Sequence, residues 1–176
     1  MAKLTAPRAL ALLCFTLILA GCGSNRNPLQ VTIQRCPTVV FADETDTWVE
    51  FAGDAMHNDQ VVFTAMVSNL DLQCDQDASV RSTVTFDVSA RAGPALNGVR
   101  QVTLPYYVAL LRDNSVVVAK KTYEVTFRLG PDAPRAGSRE EIVQVIDDIE
   151  RTRRYDYELV IGFDMGNAAI AYNELR

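Results

Sequence analysis

The chain has 176 residues, with 17 Lys or Arg against 22 Asp or Glu, one His, four Cys and a formal net charge of −5. An acidic chain lacks the electrostatic footprint that nucleic acid requires. With 48% apolar residues it can build one buried core rather than remain a polar, disordered tract.

Chain order begins with a targeting segment. Lys3 and Arg8 supply a positive start, Ala9 to Ala20 is an apolar run, and Leu19-Ala20-Gly21-Cys22 follows. A charged start, a short apolar stretch and a small-residue cleavage site make a secretory signal. The run is shorter than the ~20 apolar residues of a spanning helix. Leu19-Ala20-Gly21-Cys22 resembles the lipobox of bacterial prolipoproteins, which implies cleavage before Cys22 and a diacylglyceryl group on its thiol. Each buried methylene contributes ~0.8 kcal/mol, so two or three acyl chains on one cysteine would hold the protein to a membrane. Gly23, not Asp, follows Cys22, the pattern that implies export to the outer membrane in Gram-negative lipoproteins. The expected organisation is therefore a signal over 1–21, a lipidated tether over 22–35 and one folded domain over 36–176. Residues 23 to 29 are polar and without periodicity, as a flexible tether is.

Loss of Lys3 and Arg8 with the signal leaves 15 cations against 22 acids, a net charge of −7. Anionic headgroups would mildly repel such a domain, so the lipid rather than the surface is expected to hold the membrane. Of the four cysteines, Cys14 leaves with the signal and Cys22 takes the lipid. Cys36 and Cys74 remain as one even pair, and export makes a disulfide between them the natural reading. A redox or metal site would need a close Cys-x-x-Cys or nearby histidines, and the sequence has neither.

Beyond the tether the apolar pattern has period two. Residues 60 to 68 and 104 to 111 are apolar on both faces, as in strands near the centre of a packed sheet. Residues 83 to 90 alternate, Val84, Phe86, Val88 and Ala90 against Thr83, Thr85, Asp87 and Ser89. So do 122 to 129, with Tyr123, Val125, Phe127 and Leu129 on the apolar face, and 155 to 163, with Tyr155, Tyr157, Leu159, Ile161 and Phe163. Such alternation predicts half-buried strands. Gly93-Pro94, Asn97-Gly98 and the stretch from Gly130-Pro131 to Gly137 read as loops, and Asp113-Asn114-Ser115 as a tight hairpin turn.

The segment 138 to 150 is ambiguous. Ile142, Val145, Ile146 and Ile149 fit helical spacing, and Ser138 with Glu141 fits a capping box, yet the same run can be a strand. A sandwich needs a strand there, so strand is the expectation; the tail from Asn167 is expected as a short helical turn or coil. The fold class that follows is all-β, an antiparallel two-sheet sandwich of immunoglobulin or fibronectin III type. Tyr157 is either a tyrosine-corner residue or an ordinary inward aromatic, and Trp48 has too little context to be the buried Trp of immunoglobulin domains.

No constellation carries catalytic chemistry. His57 lies in the polar stretch Met56-His57-Asn58-Asp59 without a Gly-x-Ser-x-Gly elbow, so a solvated loop histidine is the reading over a Ser-His-Asp site. Asp71, Asp75 and Asp77 crowd around Cys74 but lack the glycine and distal glutamate of a calcium loop, so they read as a solvated acidic turn. Glu140, Glu141, Asp147, Asp148 and Glu150, followed by Arg151, Arg153 and Arg154, read as a solvated charged surface or a docking patch for a partner. Tyr106-Tyr107 should give one ring to the core and one to the surface. No cofactor, metal or catalytic residue is expected.

Several motifs are familiar together: Cys36-Pro37, Cys74, Arg91-Ala92-Gly93-Pro94, Leu104 to Ala109, Ala119-Lys120-Lys121, and Val160 to Phe163 ending in Ala171-Tyr172-Asn173. In order and spacing they resemble a family of uncharacterised envelope lipoproteins of alphaproteobacteria. The resemblance covers most of the chain from Cys36 onward, except Asp164-Met165-Gly166, which departs from it. It implies a small exported β-rich domain and carries no activity or catalytic residues to transfer. The functional expectation is a non-enzymatic module at the periplasmic face of the outer membrane. Its partners would be the membrane, through lipid on Cys22, and another envelope protein. The alternative is a periplasmic carrier or chaperone of a small apolar ligand, supported by runs such as Val116-Val117-Val118 and marked by a lined cavity of ~300 Å³ or more.

Overall fold

The centre of the molecule follows from strict alternation in one strand. Val80, Ser82, Val84, Phe86, Val88 and Ala90 all point inward and are buried, while the residues between them face out. The computed structural model describes residues 36–53 and 56–175; the expected signal, Cys22 and the expected tether up to residue 35 lie outside the described residues. The strands are β1 (Thr38–Phe41), β2 (Thr47–Phe51), β3 (Val61–Gln76), β4 (Val80–Ala92), β5 (Arg100–Arg112), β6 (Val116–Leu129), β7 (Arg135–Ile146) and β8 (Tyr157–Phe163). A short helix, α1 (Ile149–Arg154), and 3₁₀ turns at Asp43–Thr45 and Asn58–Gln60 lie between strands, and a second helix, α2 (Asn167–Glu174), follows β8.

Two four-stranded sheets result, ordered β1-β8-β5-β6 and β2-β3-β4-β7. Every pairing is antiparallel except β1 on β8, which is parallel. Consecutive strands β4 and β5 lie in opposite sheets, as do β7 and β8; β4 pairs with β7 and β5 with β8. Strands B, C, E and F of an immunoglobulin sandwich interlock in the same way. The place beside β8 that a final strand would fill is taken by β1, from the other end of the domain. After β8 the chain forms α2 instead.

Between the sheets lies one contiguous core. Tyr106, Phe86, Phe163, Leu104, Leu129, Leu159 and Ile161 are among its fully buried side chains. Phe86 meets Tyr106 edge-on at 5.5 Å and Phe41 at 6.2 Å, and Trp48 packs against Phe163 at 6.1 Å. Such aromatic pairs add about 0.5–1.5 kcal/mol each beyond their area.

The segment 138–146 is strand. Ile142 and Ile146 point inward with half-buried Gln144 between them, whereas Val143 and Val145 are exposed, so the period is two and the capping box is not used. The helix starts later, with Asp148 as its cap: its side chain accepts from Glu150 N at 2.9 Å. β7 begins at Arg135, so the loop after Gly130 is shorter than its glycines suggest; a bridge between Gly130 and Ala133 closes it. Asp113 and Asn114 adopt φ of 52° and 55°, the left-handed central pair of a type I′ turn that Ser115 N closes onto Arg112 O at 3.3 Å. The tail is helical over Asn167–Glu174.

β3 does not end near Ser68. It continues to Gln76 through a register shift between Ser68 and Asp71, where Asn69 takes φ 55°. The bulge inverts the side-chain parity. Phe63, Ala65 and Val67 face inward before it, and Leu70, Leu72 and Cys74 pack on the core after it. Asp71 and Asp75 therefore stand on the outer face of a strand, and only Asp77 of the three lies in the turn.

Candidate functional site

Cys36 and Cys74 are bonded, with their Cα atoms 6.1 Å apart. The bond joins the first described residues covalently to the far sheet. Cys74 sits on β3 opposite Ser82, and its orientation depends on the bulge at Asn69. Gln76 Nε2 donates to Cys36 Sγ at 2.9 Å. Pro37, fully buried, follows, and β1 then runs along β8 with Val39 opposite Leu159 and Phe41 opposite Ile161. The next turn is clasped onto the same strand. Thr45 Oγ1 and the Tyr107 hydroxyl hydrogen-bond at 3.0 Å directly over Gly162, where any Cβ would collide with the Thr45 hydroxyl.

The tyrosine pair divides as expected. Tyr106 is buried, and Tyr107 is half-buried beneath the Lys120 ammonium, 4.5 Å from the ring centroid. The Tyr106 hydroxyl donates to Glu140 Oε2 at 2.9 Å, and Glu140 also accepts from Ser138. Burial first, then this carboxylate, push the Tyr106 hydroxyl well above its ordinary pKa. Glu140 thus leaves the solvated acidic surface to which its sequence neighbours assign it. The inner face of β7 carries it to the opening between the two sheets. Glu141, Asp147, Asp148 and Glu150 stay exposed, and Arg151 pairs with Asp148 at 3.5 Å.

His57 is exposed ahead of the turn Asn58–Gln60, its carbonyl accepting from Gln60 N. Among the described residues no group of three or more His, Cys, Asp or Glu side chains is placed to hold a metal ion. Tyr157 opens β8, where a tyrosine corner belongs, but among the described residues its hydroxyl makes no hydrogen bond and its ring packs half-buried on the core. Trp48 lies on β2 and donates weakly to Glu50 at 3.3 Å.

The outer face of the second sheet is a ladder of rungs set by register. Gln73, Thr83 and Val143 form one, Ser68, Asp87 and Arg139 another, Met66, Ser89 and Gly137 the next, and Thr64, Arg91 and Arg135 the last. Arg139 is satisfied by Asp87 across its rung at 3.0 Å and by Thr85 of the adjacent rung at 3.0 Å, and Arg81 stands opposite Asp75. The last rung is different. It sets Arg91 directly against Arg135, at the edge of a groove of about 570 Å³ lined also by Thr47, Thr64, Met66 and Ser89. Among the described residues neither guanidinium has an ion pair or hydrogen-bond partner. The two arginines lie far apart in sequence, and nothing but the strand register brings them together.

Fold and topology define an immunoglobulin- or fibronectin III-like sandwich whose amino-terminal strand is clamped by a disulfide. No family model, curated protein or solved structure matches the chain.

Proposed function

We propose that this protein is a lipid-anchored, non-enzymatic interaction module of the bacterial cell envelope, held by Cys22 at the periplasmic face of the outer membrane. The observation that carries the reading is the Cys36–Cys74 bond. A disulfide inside a small domain belongs to an exported protein, which agrees with the secretory signal and lipobox at the start of the chain. The bond also sits where a tether would enter the fold, so the domain is braced where a membrane anchor would pull. Support for an interaction role over ligand carriage comes from the interior. Inward positions on both sheets are filled by the chain's own side chains. Two grooves among the described residues lie elsewhere, on the outer face of the second sheet and between β2 and α2. Sandwiches of this kind offer strand edges and faces to partners.

The test is Cys22→Ser. The wild-type chain should incorporate labelled palmitate and fractionate with the outer membrane. The variant should lose the label and accumulate as uncleaved or mislocalised precursor. A variant that still requires detergent for release, at its normal mature mass, would overturn the anchor. Crosslinking in intact cells tests the interaction role; recovery of the lone protein under conditions that capture other envelope complexes would count against it.

A further inference from the structure

We infer that Arg91 and Arg135 form a binding site for a phosphate group, with Thr64 and Ser89 as supporting hydroxyls. Two like charges directly opposite across a strand pair, their Cβ atoms about 4.5–5.5 Å apart, destabilise a sheet unless something neutralises them. On this face the protein elsewhere avoids the problem: Arg139 is paired with Asp87, and Arg81 stands opposite Asp75. Only the Arg91–Arg135 rung is left unmatched among the described residues, and it is the rung that borders the groove. The chain is acidic overall, so two adjacent cations do not follow from composition.

The surroundings suit an anion. Thr64 stands in the same rung as Arg91, and Ser89 in the next, so hydroxyl donors lie beside the guanidiniums. Gly137, opposite Ser89 in the rung that follows on β7, carries no side chain beside Arg135. Asp87, the carboxylate in the rung of Arg139, is already engaged by Arg139 at 3.0 Å and by Asn69 Nδ2 at 2.7 Å. Both arginines rise from paired strands rather than loops, and Ala92 N donates to Pro134 O at 2.8 Å to close the strand ends beside them. Guanidinium groups in this geometry can each present a two-pronged donor to phosphate oxygens.

One phosphate chemistry has two sources here, free phosphate and a phospholipid headgroup. The experiment titrates the purified, ¹⁵N-labelled full chain and follows the arginine Nε–Hε signals at constant ionic strength. One titration uses inorganic phosphate, the other a short-chain phosphatidylglycerol below its micelle-forming concentration. Two signals should shift saturably, one absent from the spectrum of Arg91→Gln and the other from that of Arg135→Gln. Each variant should bind about tenfold more weakly, and Arg139→Gln should bind as the wild type. Neither Arg91→Gln nor Arg135→Gln should lower the melting temperature, because each relieves a repulsion; a residue with a merely structural role would behave oppositely. Saturation by inorganic phosphate identifies the free anion, and saturation by the lipid alone identifies the headgroup. No saturable shift in either titration, or wild-type affinity in both variants, overturns the site. The inference is independent of the anchor, so failure of lipidation at Cys22 would leave it standing.

Discussion

Tyr106 shows how one buried hydroxyl links packing to pH. Its ring sits between Phe86 and Tyr123, at 5.5 and 5.4 Å, and its hydroxyl meets the inward carboxylate of Glu140. Tyr106→Phe should cost about 1.5–3 kcal/mol in urea unfolding at neutral pH, the worth of a hydrogen bond to a charged group. Folding raises this hydroxyl's pKa above the ordinary 10.0. The neutral form is therefore favoured in the native state, and its contribution is complete below pH 10. Above pH 10 the unfolded chain ionises first, and stability falls with a slope of up to about 1.4 kcal/mol per pH unit. Unfolding curves between pH 8 and 11 should show that extra slope in the wild type and not in Tyr106→Phe. Gly162 makes a second, steric point at this scale. Gly162→Ala drives a methyl into the Thr45–Tyr107 hydrogen bond, and overpacking of this kind costs about 1–3 kcal/mol. Adding Thr45→Ala should recover part of the loss in thermal melts; strictly additive losses would mean the contact is not the cause.

At the level of elements, the strand pattern was legible wherever one face is buried and the other wet. β4, the second half of β6 and β8 show their alternation directly in the sequence. The segment at 138–146 was ambiguous because Val143 and Val145 add apolar residues to a solvent face, which period alone cannot separate from a helix. The continuation of β3 was hidden for a different reason. A bulge changes which parity faces inward, so Leu70, Leu72 and Cys74 fall out of phase with Phe63 and Ala65, and the strand reads as if it stopped. Asn69 permits the change because asparagine tolerates left-handed φ and its amide donates to Asp87. Asn69→Val should cost roughly 1–2 kcal/mol through backbone strain alone, read as a lower unfolding midpoint in urea. An unchanged midpoint would show that the bulge is not strained by a branched side chain. Glu140 and the Arg91–Arg135 rung were beyond sequence reading altogether, because inward placement on β7 and cross-strand opposition are properties of register.

For the whole molecule, the fold class and the disulfide pair were both visible in advance, the first from alternation and turns, the second from thiol arithmetic. The topology was not, because nothing local says that β1 takes the place beside β8. Cys36 and Cys74 close a loop with a sequence separation of 38, for which chain-entropy arithmetic gives about 4 kcal/mol. Cys74→Ser should lower stability by that order and free one thiol on Cys36. In the unreduced, unfolded wild type, thiol reagents should label neither Cys36 nor Cys74; labelling of both would sink the pairing. The clamp also decides how the domain carries mechanical load. A pull applied ahead of Cys36 passes through the sulfur bridge into β3, an interior strand, before it reaches four-residue β1. The four-residue strand therefore hangs slack while sixteen-residue β3, paired with β4 along most of its length, takes the tension. Stretched by its two ends, the reduced protein loads β1 against its parallel neighbour β8 in shear and should lose that pairing first; in the oxidised protein the bridge relieves β1 of the pull, and that first event should be absent.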